Sequence, residues 1–140
     1  MKKACFELGG SDPFVVLKDA NMEQAVNVAY ASRMANSGQV CCSAKRFIIT
    51  APVYDEFRDR LIEKIRATSV IGDPMDPVIT VGPLASVTQR DTFLRQMDVA
   101  TTEGGASLSY GDLNWRIQDP ELVDGAFVAP LLLEGMDSNS

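Results

Sequence analysis

Two kinds of apolar pattern alternate along this chain, and their order restricts the possible folds more than any other feature. Short apolar runs bounded by turn residues read as buried strands: "FVVL" at 14–17, between Pro13 and Lys18-Asp19, and "FIIT" at 47–50. Between them Met22, Ala25, Val26 and Ala29 recur at i, i+3, i+4 and i+7, which predicts an amphipathic helix over 22–35. Asn21 suits its N-cap, and Asn36-Ser37-Gly38 suits its end. Pro52 opens a second helix in which Val53, Phe57, Leu61 and Ile65 recur every four residues. "GDPMDPVITVGPL", 72–84, reads as loop from its two glycines and three prolines. Ser86 with Gln89 forms a capping-box pattern, and Val87, Leu94 and Met97 mark the apolar side of a third helix that Gly104-Gly105 ends. "SLSY", 107–110, and "FVAPLLL", 127–133, are strand candidates, the latter pushed to an edge or an irregular course by Pro130. The order β, α, β, α, α, β, β predicts an α/β fold, a three-layer α/β/α arrangement around a mainly parallel sheet. Residues 134–140 read as a loose tail.

Composition narrows the function. A net charge of −6 argues against general nucleic-acid binding, which relies on basic patches. The densest run of cations, Arg58, Arg60, Lys64 and Arg66, is interleaved with Asp55, Glu56, Asp59 and Glu63, which makes it a solvated mixed-charge helix face. No apolar run is long enough to span a bilayer, and "MKKACFELGG" lacks an apolar signal core, so a cytoplasmic location without membrane attachment is the expectation. The chain contains no histidine, which excludes a Cys-His pair, a Ser-His-Asp triad and a histidine-ligated metal within it. Three cysteines are too few for a four-thiolate zinc site, and their spacing does not suggest a disulfide framework, so no metal is expected.

Two segments carry candidate chemistry. In "NSGQVCCSAKR", 36–46, a thiol at the start of a helical turn would feel unpaired N–H groups and a helix dipole, both of which favour thiolate. Lys45 and Arg46 would add positive potential if they face inward, and otherwise cap the turn or meet solvent. In "FELGGSDP", Glu7 lies between Phe6 and Leu8, and a carboxylate in apolar surroundings has the raised pKa that a general base for water needs.

"ELGGSDPFVVLKDA" followed by "NSGQVCCSAKRFI" resembles the aldehyde dehydrogenase superfamily. The family's glutamate-leucine-glycine-glycine and glycine-glutamine-X-cysteine motifs are both present, in order, with 34 positions from Glu7 to Cys41. "GGSDPF" and "AKRFI" look most like the succinate-semialdehyde dehydrogenase branch. The resemblance implies that Cys41 is the nucleophile and Glu7 the general base. It also implies that Leu8 and Gly9 lie against the nicotinamide ring of NAD or NADP, and that Gly38 and Gln39 shape the loop. The implied reaction oxidises an aldehyde to a carboxylic acid through a Cys41 thiohemiacetal and thioester, with the Cys41 N–H donating to the oxyanion. Cys42 would be a spectator, and the complete enzyme a homo-oligomer.

By the same resemblance, residues 1–140 correspond to part of a catalytic (thiol) domain. The nucleotide-binding domain is not expected here, because nothing in the chain resembles a glycine-rich phosphate cradle, and neither is the C-terminal oligomerisation part. The chain alone is therefore expected to be inactive as a dehydrogenase. Some semialdehyde-specific relatives carry an arginine six residues before the nucleophile to pair with the substrate carboxylate. That position is Ala35, and Arg33 would point about 200° away on a helix. Other functions compatible with these residues are a cofactor-independent thiol esterase, a non-catalytic interaction module, and, least favoured, a Cys41-Cys42 redox pair.

Overall fold

A computed structural model describes residues 1–136. Its elements follow the order read from the sequence: β1 (Asp12–Val16), α1 (Met22–Met34), β2 (Ala44–Ile49), α2 (Tyr54–Thr68), α3 (Val87–Thr102), β3 (Ser107–Tyr110) and β4 (Leu132–Glu134). The chain divides into two compact units, Met1–Lys64 and the residues from Ile65 onward.

In the first unit β1 and β2 pair in parallel, with Phe14 opposite Phe47 and Val15 opposite Ile48. α1 forms the crossover between them, as a parallel pair requires. Successive strand residues point to opposite faces, and only one face of this pair is covered. Phe14 and Phe47 stack against Phe57 of α2, with ring centroids 6.4 and 6.0 Å from it, and Val16 is buried on the same side. Val15, Leu17 and Ile48, on the other face, are 57%, 55% and 50% exposed, so the expectation of fully buried strands fails for alternate residues. Val26 and Ala29 of α1 and Phe57 and Leu61 of α2 are buried as well, following the helical periodicity, as is Ala44 of β2. The Asn21 side chain accepts from the Gln24 N–H at 3.0 Å, which is the expected cap. On the exposed side of α2, Arg58 pairs with Asp55 and Asp59, and Arg60 with Glu56, as the mixed-charge reading requires.

In the second unit β3 and β4 pair antiparallel, and Ile71 and Val81 form an isolated parallel bridge at the ends of the 72–80 loop. Asp73 and Asp76 each accept from the backbone two residues on, which closes that loop into successive turns. Ser86 caps α3 by accepting from the Gln89 N–H at 3.1 Å, and Gly105, at φ +69°, turns the chain out of it. The stripe predicted for α3 is only partly covered: no residue of α3 is buried, and Val87 is 42% exposed. Of 127–133 only Leu132 and Leu133 enter β4, the ladder starting two residues after Pro130, which has no N–H to give it. The tail expected over 134–140 begins at the last residue of β4, and residues 137–140 lie outside the described residues. Among the described residues no helix is long and apolar enough to cross a membrane.

Candidate active site

The cysteine turn is built from the end of α1. After Met34 the backbone goes left-handed for three residues, with φ +50° at Asn36, +56° at Ser37 and +80° at Gly38. L-residues adopt this conformation at a cost, and Asn is among those that tolerate it best. A reciprocal bond pair stabilises it: the Asn36 side-chain amide donates to the Gln39 carbonyl at 3.3 Å, and the Gln39 side-chain amide donates to the Asn36 carbonyl at 3.1 Å. Gly38, at φ +80°, holds a conformation that favours glycine, and a side chain there would also displace the Arg33 guanidinium. Gly38 and Gln39 thus shape the loop, as expected.

The chain then makes a tight turn, Val40–Ser43, closed by the Ser43 N–H donating to the Val40 carbonyl at 3.2 Å. Cys41 and Cys42 occupy its two corners, and both are free thiols exposed to solvent, as is Cys5. Two residues of α1 fix the far side of the turn. The Ala44 N–H donates to Ser32 Oγ at 2.9 Å, and Arg33 Nη1 donates to Ser43 Oγ at 3.0 Å. Ser43 is buried, and the partial burial of Arg33 pulls its pKa below the ordinary guanidinium value. Arg33 therefore turns to the cysteine turn, where it braces Ser43.

Glu7 comes to this turn from the other motif. Its carboxylate lies beside the Cys41 thiol, where hydrogen bonding and charge together push the thiol pKa up. Cys42 adds a small repulsion of the same sign, while its backbone N–H works in the opposite direction. The low thiol pKa anticipated from a helix N-terminus is thus corrected. The turn leads directly into β2, so there is no helix dipole at Cys41, and the dominant neighbour is an anion. The apolar surroundings anticipated for Glu7 are also absent: Phe6 and Leu8 are 80% and 75% exposed.

Gly10 brings the two backbones into contact, since a Cβ there would lie 2.5 Å from the Cys41 carbonyl oxygen. Segment 7–10 therefore meets Cys41 at both ends, through Glu7 and through Gly10, and Leu8 and Gly9 lie between. Leu8 is exposed, and a side chain added at Gly9 would meet nothing within 4 Å. Both positions are thus open to solvent.

Lys45 and Arg46 face neither the thiol nor open solvent alone. Lys45 Nζ donates to the carbonyls of Gly10 and of Cys41, the latter at 3.1 Å. Arg46 donates through Nε and Nη2 to the Ser11 carbonyl, at 3.1 and 3.0 Å. Sequence reasoning missed these clamps and the Ser32, Arg33 and Ser43 brace. No local pattern marks any of them, because the Lys45 and Arg46 clamps on Gly10 and Ser11 join residues 35 positions apart.

The chain belongs to the aldehyde dehydrogenase family, whose model matches residues 1–140. Within that family it is 45% identical over 111 residues to a succinate-semialdehyde dehydrogenase [NADP(+)] of Mycobacterium avium (strain 104), a match covering 79% of this chain and 23% of that protein. It is 38% identical over 122 residues to a benzaldehyde dehydrogenase of Bacillus subtilis (strain 168), covering 87% of this chain and 25% of the relative. The fold matches the crystal structure of succinic semialdehyde dehydrogenase from Streptococcus pyogenes in complex with NADP+, with a TM-score of 0.84 at 39% identity, over 95% of this chain and 28% of that one. The chain thus spans about a quarter of the length of these relatives. Both the α/β class read from the order of elements and the succinate-semialdehyde dehydrogenase likeness read from "GGSDPF" and "AKRFI" agree with these findings.

Proposed function

We propose that this chain carries the thiol half of an NAD(P)-dependent aldehyde dehydrogenase site, with Cys41 as nucleophile and Glu7 as general base. The observation that carries the reading is the meeting of the two motifs, 34 positions apart from Glu7 to Cys41: Gly10 packs on the Cys41 carbonyl, Lys45 bridges the two, and Glu7 lies beside the thiol. Exposure of the thiol leaves it open to a substrate.

In this reading the Cys41 thiol releases its proton to solvent, and the thiolate sulfur attacks the aldehyde carbon, forming the C–S bond of a thiohemiacetal. The Cys41 backbone N–H donates to the resulting oxyanion. A bound nicotinamide supplies the hydride acceptor that this oxidation needs. Leu8 and Gly9 would hold its ring, since they lie between Glu7 and Gly10 and are open to solvent. Once Cys41 is acylated it has no proton to offer Glu7. The carboxylate is then free to take one from water, whose oxygen attacks the thioester carbon, breaks the C–S bond and releases the carboxylic acid.

Succinate semialdehyde is the proposed substrate, on the likeness to enzymes named for it, and NAD or NADP the proposed cofactor, with NADP named in two of the relatives. The chain by itself is expected to produce no reduced cofactor. A cytoplasmic location and a homo-oligomeric complete enzyme complete the proposal.

The test uses p-nitrophenyl acetate, which acylates a nucleophilic thiol and releases nitrophenolate without any cofactor. Peptide mapping of the treated chain is expected to find the acetyl group on Cys41 and not on Cys5 or Cys42. It should accumulate in Glu7→Gln and turn over in the wild-type chain. Equal labelling of the three cysteines, or equal deacylation with and without Glu7, refutes the assignment.

A further inference from the structure

We propose that Lys45 is a positioning residue, which keeps Glu7 on Cys41 by stapling the glutamate segment to the nucleophile turn. The proposal rests on the reading of Glu7 and Cys41 given above and adds the residue that assembles them.

Three observations carry it. The first is that residues 1–11 are exposed throughout and lack secondary structure, so holding Glu7 in one place requires bonds from outside the segment. Lys45 provides such a bond at both ends, because its ammonium donates to the carbonyl of Gly10 and to that of Cys41. Arg46 reinforces the segment at Ser11 without touching the turn.

The second is the β1–β2 register. Asp12 lies opposite Ala44 and Pro13 opposite Arg46, so Lys45 is the extra residue of a bulge. Bulges re-aim the side chain they carry, and this one sends Lys45 back past the strand start to the two loops. Pro13 has no N–H to offer a regular ladder at that point.

The third is the fit at Gly10. The absence of a side chain there lets its backbone approach the Cys41 carbonyl, which brings both acceptors within reach of one ammonium.

The charged and titratable groups around this arrangement give opposite predictions for two possible roles of Lys45. Glu7 and Cys42 act on the thiol directly. Arg33 lies on Ser43, Arg46 on Ser11, and Asp12 beside Gly10. If Lys45 acted as a charge that stabilises thiolate, its removal would move Cys41 ionisation to higher pH. As a staple, its removal releases Glu7, which raises the thiol pKa, and the ionisation moves to lower pH.

The experiment is the pH profile of alkylation by iodoacetamide on the 140-residue chain, resolved by peptide mapping, with Cys5 and Cys42 as internal references. Lys45→Met keeps the length of the side chain and removes its donors. It is expected to shift the Cys41 profile to lower pH by at least half the shift seen in Glu7→Gln, and to add nothing in the double variant. Lys45→Arg, which keeps the charge and the donors, should restore the wild-type profile. An unchanged or upward-shifted profile in folded Lys45→Met overturns the proposal, as does additivity in the double variant. If Lys45→Met does not fold by circular dichroism, Lys45→Gln, which also removes the charge and is too short for both carbonyls, takes its place: a shift of the Cys41 profile to lower pH supports the staple, and an unchanged or upward-shifted profile overturns it. A Glu7→Gln profile identical to wild type would instead defeat the Glu7–Cys41 reading itself, so the two failures are distinguishable.

Discussion

The Gly10→Ala substitution tests the contact on which the site depends. The added Cβ would lie 2.5 Å from the Cys41 carbonyl oxygen, whereas ordinary van der Waals contact begins at 3.4 Å, so the two must separate by roughly 0.9 Å. Neither side of this contact is a flexible side-chain end. One is the Gly10 backbone and the other a backbone carbonyl that also accepts from Lys45. Overpacking of this kind costs about 1–3 kcal/mol. The cheapest relief lifts the 7–11 segment off the turn, which also withdraws Glu7 from the thiol. Gly10→Ala is therefore expected to lower the unfolding free energy by about 1–3 kcal/mol in urea titration and to move Cys41 alkylation to lower pH. Gly9→Ala is the control, since nothing lies within 4 Å of its added Cβ, and its stability should stay within about 0.5 kcal/mol of wild type. A Gly10→Ala protein with wild-type stability and a wild-type Cys41 profile would refute the packing argument.

Three further predictions concern the site and its support. Glu7 holds the Cys41 thiol pKa up, so the reactive thiolate forms only at higher pH than in an ordinary thiol; Glu7→Gln should move the alkylation profile down, as read by peptide-resolved labelling. Ser43→Ala leaves the partly buried Arg33 guanidinium without its hydroxyl acceptor and should cost about 1–3 kcal/mol in chemical denaturation, with a stability equal to wild type counting against the brace. Phe57 is 2% exposed and stacks on Phe14 and Phe47, so Phe57→Ala should destabilise by about 3–5 kcal/mol, measured by thermal or urea unfolding.

The sequence by itself determined the elements of this protein. Caps act over three residues and helical stripes over three or four, so Asn21, Ser86 and the Phe57-Leu61-Ile65 stripe were legible from local spacing, and each stands in the structure. The two family motifs were legible too, because a known wording at a known separation identifies a family without any knowledge of the chain path. Tertiary structure decided how those parts meet. Whether an apolar strand residue is covered depends on what packs over its face, and for that reason Val16 is buried while Val15 is not. The direction of the Cys41 pKa depends on which charge arrives beside it, and the arriving charge is Glu7, from 34 positions away. The uses of Lys45 and Arg46 depend on the β1–β2 pairing and its bulge, which lay carbonyls of the glutamate segment within reach of β2. Local propensity extends along the chain, whereas electrostatics and packing act through space, and only the fold sets distances through space.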